Sequence, residues 1–160
     1  MDPEKYTVED RMTIEFANES MDRFTDKMVG YFKQAVDMYR ETLNAKFGLE
    51  CKDPWVLFVV EDSERNVIDQ KIIEVELQRQ HGLKSMRLTF KEIHEQMSLD
   101  EFNRLTIDGR EIAFVYYRSG YQVEQYTTKD DWKARESLEI SQAIKCPSID
   151  YHLTTFKKFQ

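Results

Sequence analysis

The sequence predicts an α/β domain of three layers with a mainly parallel sheet, preceded by an N-terminal amphipathic helix. Three observations carry that expectation. The runs Trp55–Val60 and Ile112–Tyr117 are apolar at every position, as in strands covered on both faces. Segments with helical spacing alternate with them. Glycine or proline marks most of the joints.

Residues 1–25 are polar and weakly periodic and carry no assignment. Beginning at Phe24, the residues Met28, Tyr31, Ala35, Tyr39 and Leu43 recur at helical spacing, which places an amphipathic helix within 26–50 that Gly48 stops. The domain proper is expected over 51–160. Its first strand, Trp55–Val60, ends in the polar loop Glu61-Asp62-Ser63-Glu64. A second helix starts at Val67 and is closed by Gly82. Met86, Leu88 and Phe90 alternate with polar residues and predict a second strand, completing a βαβ unit of the usual ~30-residue size. Asp108-Gly109 lies between Arg104–Ile107 and Glu111–Tyr117, a strong hairpin signal. A polar loop from Arg118 to Lys129 leads to a helix beginning near Asp131-Trp132, where Thr128 and Asp131 have the spacing of a capping box. Cys146-Pro147 is expected to break that helix, with a short one from Ser148.

Composition narrows the function. The 160 residues hold 23 Lys+Arg against 30 Asp+Glu, a formal charge of −7, which opposes non-specific binding to nucleic acid or anionic membranes. No apolar run approaches the ~20 residues of a membrane span, and the start has no signal-peptide pattern. Cys51 and Cys146 form neither a C-x-x-C pair nor a disulfide framework, which fits a reducing, cytoplasmic setting. His81, His94 and His152 lack metal-ligand spacing, and the glycines are too dispersed for a phosphate-cradling loop.

In sheets of this type ligands bind beyond the carboxyl ends of the strands. Two loops leave such ends here, Ser63-Glu64-Arg65-Asn66 and Arg118-Ser119-Gly120-Tyr121, and each carries an arginine. The fork of Arg118 suits a carboxylate, and the glycine two residues on lets the backbone turn close to a ligand. Read from pattern alone, Arg118 could equally pair with an acid of its own loop such as Glu124.

The order and spacing of five segments decide between these readings: Glu64-Arg65-Asn66-Val67-Ile68-Asp69-Gln70, Val115-Tyr116-Tyr117-Arg118-Ser119-Gly120-Tyr121, Asp131-Trp132-Lys133-Ala134-Arg135, Ala143-Ile144-Lys145-Cys146-Pro147, and Leu153 to Lys157-Lys158. Together, over Pro54 to Gln160, they resemble the substrate-binding domain of the eukaryotic glutathione synthetases, ATP-grasp ligases that join γ-glutamylcysteine to glycine. The resemblance implies that Glu64, Arg65, Asn66, Gln70, Arg118, Ser119, Gly120 and Tyr121 hold γ-glutamylcysteine or glutathione, with Ser119 standing where some members have an acid. It implies an ATP contact at Lys157, and ATP and magnesium as cofactors whose remaining contacts, the Mg2+ ligands included, lie outside this chain. No catalytic residue and no metal ligand is assigned within it. The ATP-grasp region with its glycine-rich loop is absent, so the chain by itself is expected to be inactive. A homodimer is the assembly implied for the full-length protein. The alternative is a stand-alone module that binds γ-glutamyl peptides without ligase activity.

Overall fold

The computed structural model describes the backbone of residues 8–64 and 66–154 and the side chains of 23–64 and 66–154. Arg65 and Lys157 lie outside the described residues.

The first helix, α1, runs Val8–Phe47, so it begins well before the point at which its apolar spacing becomes legible. Gly48, at φ 66°, ends it. Then follow β1 Trp55–Val59, α2 Val67–His81, β2 Lys84–Leu88, α3 Phe90–Gln96, β3 Met97–Leu99, β4 Leu105–Ile107, β5 Arg110–Tyr117, a 3-10 turn Val123–Gln125, α4 Lys129–Ile140, β6 Ile144–Cys146 and α5 Ile149–Leu153.

Two expectations need correction. Phe90 does not end a strand; it opens α3, whose N-cap Thr89 forms a capping box with Glu92. The alternation Met86, Leu88, Phe90 continued across that cap and concealed it. The short strand β3 went unread. The helix after Thr128 ends at Ile140, six residues before Cys146, and the interval holds β6, too short to show a period of its own.

The sheet has six strands in the order β2-β1-β5-β4-β3, with β6 also paired to β5. β2, β1, β5 and β6 are mutually parallel, and β4 and β3 extend the sheet antiparallel. The β4–β5 turn at Asp108-Gly109 has φ 49° and 72°, the positive pair that the tightest hairpin demands. Helices cover both faces. Val56, Phe58, Phe114 and Tyr116 point toward α1 and α2, packing on Val29, Phe32, Val36, Ile73 and Leu77. Leu57, Val59, Val115 and Tyr117 point toward α3 and α4, packing on Phe90, Ile93, Ala134 and Leu138. The continuous apolar runs are those of strands buried on both sides.

One irregularity sets the facing of everything downstream. Trp55 pairs with Ile112 but Val56 pairs with Phe114, so β5 carries one extra residue there. Ile112 packs on the α3/α4 side, whereas Ala113 and Phe114 both belong to the α1/α2 side. Beyond this bulge even-numbered residues face α1 and α2, and Arg118 is the next in that series.

Candidate functional site

The parallel strands deliver their carboxyl ends to one edge of the sheet, and the loops predicted to bind ligand leave from that edge. Arg118 N–H donates to the Val59 carbonyl at 2.8 Å, so the β1–β5 ladder continues one residue past the strand and fixes the arginine's backbone. Its guanidinium lies over the Tyr116 ring, 5.9 Å from the centroid. On the same face the first turn of α2 presents Gln70, only 2% exposed.

These two side chains share a cleft of about 470 Å³ with Asp69, Ile72, Ile73 and Tyr116, and its far wall is built by Phe24, Thr25 and Met28 of α1. Two buried donors in it, Arg118 Nε and Gln70 Nε2, have no hydrogen-bond acceptor among the described residues. Burial of polar groups without partners costs free energy, so such pairs mark places where a ligand supplies them. Glu64 stands nearby and accepts from the Asn66 backbone N–H at 2.9 Å. Partial burial raises its pKa, but the Gln70 amide, which approaches without closing a hydrogen bond, the Asn66 N–H and the charges of Arg118 and Arg87 outweigh that and hold the carboxyl below its ordinary range. The cleft lining therefore holds a cation in Arg118, an amide in Gln70 and a carboxylate in Asp69, with Glu64 and Asn66 beside it rather than in the lining, a set suited to a zwitterion.

Ser119, Gly120 and Tyr121 do not join it. Ser119 is buried toward the opposite side of the sheet, where it lines a separate cavity with Glu61, Ser63, Thr89, Gln125 and Asp131. Gly120 sits at φ 88°, and a Cβ there would meet Tyr126 Oη at 2.7 Å and Phe90 Cζ at 2.8 Å. The Tyr121 hydroxyl donates to the Tyr117 carbonyl at 2.5 Å. Gln125 Oε1 accepts the backbone N–H groups of Gly120, Tyr121 and Gln122 at 2.9, 2.7 and 3.1 Å, and Tyr126 Oη donates to the Gly120 carbonyl at 3.0 Å. This loop is closed by its own contacts. Arg118 makes no ion pair with Glu124; the carboxylate it feels is Glu64.

Sequence reasoning missed two contributors: the α1 wall and Arg87 of β2, which reaches Gln70 from behind. Arg87 holds an ordinary polar position in the alternation of Met86 and Leu88, so no local signal in the sequence singled it out.

The model of the eukaryotic glutathione synthase family matches residues 54–154, more than half of the chain. The chain belongs to that family. Glutathione synthetase from Dictyostelium discoideum is 46% identical over 113 residues, 68% of this chain and 24% of that protein. The human glutathione synthetase is 46% identical over 105 residues, covering 66% and 22%. The chloroplastic glutathione synthetase of Solanum lycopersicum is 40% identical over 128 residues, covering 79% and 23%. A solved glutathione synthetase-like effector from Globodera pallida, in its apo form, matches at a TM-score of 0.61 with 15% identity over 82% of this chain and 28% of that one, and shows the shared fold. The chain thus spans about a quarter of the length of the curated family members it matches. Because those members include chloroplastic proteins, membership carries no compartment. Among the described residues no helix is long and apolar enough to cross a membrane.

Proposed function

We propose that the cleft between α1, α2 and the sheet edge is the γ-glutamyl-peptide site of a glutathione synthetase, holding γ-glutamylcysteine for ATP-dependent ligation to glycine. The observation that carries this reading is the convergence of two buried donors without acceptors, Arg118 Nε and Gln70 Nε2, on one cleft of a family member. Arg118 pairs with a carboxylate of the peptide, and Glu64 faces its ammonium group. Gln70 and Asn66 bind its amide and carboxylate oxygens. Arg65 and Lys157 keep the roles the resemblance gives them, peptide contact and ATP contact. Ser119, Gly120 and Tyr121 serve the same site by shaping the loop from which Arg118 projects.

Magnesium-bound ATP supplies the activation of the cysteinyl carboxylate in this reaction. Among the described residues no group of three or more His, Cys, Asp or Glu could hold a metal, so no magnesium site is assigned to them. The chain's share of the work is to bind and orient the peptide so that its carboxylate meets the nucleotide and the acceptor amine in a fixed geometry. The cytoplasm fits this reading, since both cysteines are free.

Titrating γ-glutamylcysteine into the 15N-labelled protein tests the site. Shifts concentrated at Asn66, Gln70 and Arg118 are expected; a flat response there would remove the assignment. In a coupled assay with ATP, magnesium, γ-glutamylcysteine and glycine, the chain alone is expected to stay below ~1 turnover per second, an ordinary enzymatic rate.

A further inference from the structure

Gln70 has a primary amide in a buried position, and the environment of its two ends differs. Arg87 Nη2 donates to Gln70 Oε1 at 2.7 Å. The same guanidinium donates through Nη1 to Glu74 Oε1 at 2.8 Å, and this ion pair is itself shielded, with side chains 15% and 11% exposed. Glu74 is held in turn by Lys71 at 3.1 Å and by the Ser85 hydroxyl at 3.3 Å. A guanidinium has donors only, so the atom it meets must be the amide oxygen, which settles the orientation chemically. The other end, Nε2, closes no hydrogen bond, although the Glu64 carboxylate stands near enough to feel the amide, and Gln70 lines the cleft. Arg87 is not part of the cleft lining.

We propose that Arg87 is a positioning residue: braced by Glu74, it locks the Gln70 amide with its NH2 group toward the cleft, so that the site offers a donor rather than an acceptor to a ligand carboxylate. A free amide would populate both orientations, and the flipped one sets a carbonyl oxygen against the carboxylate. Rotation in the locked state would bring NH2 against the guanidinium, losing one hydrogen bond and adding donor–donor repulsion. The arrangement is of the kind in which a supporting residue fixes the group that contacts the ligand. Its ligand rests on the γ-glutamyl-peptide reading above, but the lock is a property of the free protein.

The test therefore has a ligand-free arm. In wild-type protein the Gln70 side-chain amide should give a single pair of NMR signals. The double variant Arg87→Met with Glu74→Met removes both members of the ion pair, so no carboxylate is left buried and uncompensated. It should move or broaden that pair through exchange between orientations. Arg87→Lys, a milder change that cannot bridge Gln70 and Glu74 together, should produce a smaller effect in the same direction. A Gln70 pair unchanged in both variants overturns the lock. In the second arm the double variant should weaken γ-glutamylcysteine binding about 10-fold, the loss of roughly one well-placed hydrogen bond to a charged group. The same two changes made in a Gln70→Ala background should weaken it no further. A full additional loss there overturns the claim that Arg87 acts through Gln70, because a merely structural role would be felt in either background. Should wild-type protein show no peptide response at all, the peptide reading falls while the amide signals still decide the lock.

Discussion

On the α3/α4 flank of the sheet's carboxyl edge, the polar groups of the Arg118–Thr128 loop satisfy one another: Gln125 takes three backbone N–H groups, Tyr126 reaches the Gly120 carbonyl, and Tyr121 returns its hydroxyl to Tyr117. On the α1/α2 flank, across the sheet, two buried donors, Arg118 Nε and Gln70 Nε2, have no acceptor among the described residues. The same strand end supplies both flanks. The contrast separates a loop whose backbone polar groups are met by its own side chains from a cleft whose buried donors are not met. It also divides the predicted binding loop by contact, with Arg118 lining the α1/α2 cleft and Gly120 and Tyr121 held by Gln125, Tyr126 and Tyr117.

The widest separation of the two flanks should come from Gly120→Ala. The new methyl would collide with Tyr126 and Phe90 at an unfavourable φ, costing about 2–4 kcal/mol of stability by overpacking and backbone strain, read as a fall in Tm. Arg118→Ala should do the opposite: a loss of ~1.5–3 kcal/mol in γ-glutamylcysteine binding, roughly 10- to 150-fold, with Tm nearly unchanged. Arg118→Lys should recover only part of that affinity, since an ammonium cannot reproduce the bidentate fork. A drop in Tm with intact peptide binding in the Ala variant would place Arg118 in the scaffold and erase the contrast. Gln125→Ala comes next, leaving three N–H groups of the loop to water and costing ~1–2 kcal/mol in chemical denaturation, with a binding loss only as large as the loosening of Arg118.

The smallest effect concerns pH. Glu64 has a folded pKa below its ordinary value of ~4.3, so its contribution to stability is complete above that value and disappears as pH falls through the lower folded one. Being partly solvated it should add well under ~1 kcal/mol. Glu64→Gln should remove this acid-limb slope from the denaturation profile and should abolish any matching loss of peptide affinity in the same window. An unchanged profile would show that Glu64 is as free in the folded chain as in the unfolded one.

The features legible in the sequence were those with a strong local cause. A six-residue apolar run flanked by turn residues is too short for a buried helix and fits a doubly covered strand, and Asp108-Gly109 tolerates the two positive φ angles of a tight turn. Thr128 with Asp131 formed the capping box its spacing announced, with the Thr128 N–H on the carboxylate at 2.8 Å. What escaped depended on neighbours. β6 exists because β5 offers it an edge, and α3 lies behind an alternation that runs through its cap. The site divided in the same way. Gln70 and Arg118 could be nominated from their loops, but that they face one cleft depends on the bulge in β5. Counted from Ile112 at strict alternation, Arg118 would have been assigned to the other side of the sheet.

That bulge makes the length of β5 an inherited quantity. A substitution at Ala113, wholly buried, has to satisfy only the size of its niche. A deletion there would leave Ile112 and Phe114 consecutive and already on opposite faces, restoring unbroken alternation with every side chain from Phe114 onward on its present side. A deletion past the bulge, at Val115, has no such slack: Tyr116 and Arg118 would pass to the α3/α4 side and Ser119 to the side of Gln70. In a lineage that diversifies by small insertions and deletions, a codon lost at the bulge would leave the cation where it is, whereas one lost past it would move the cation from one flank to the other while leaving all the binding residues in the gene.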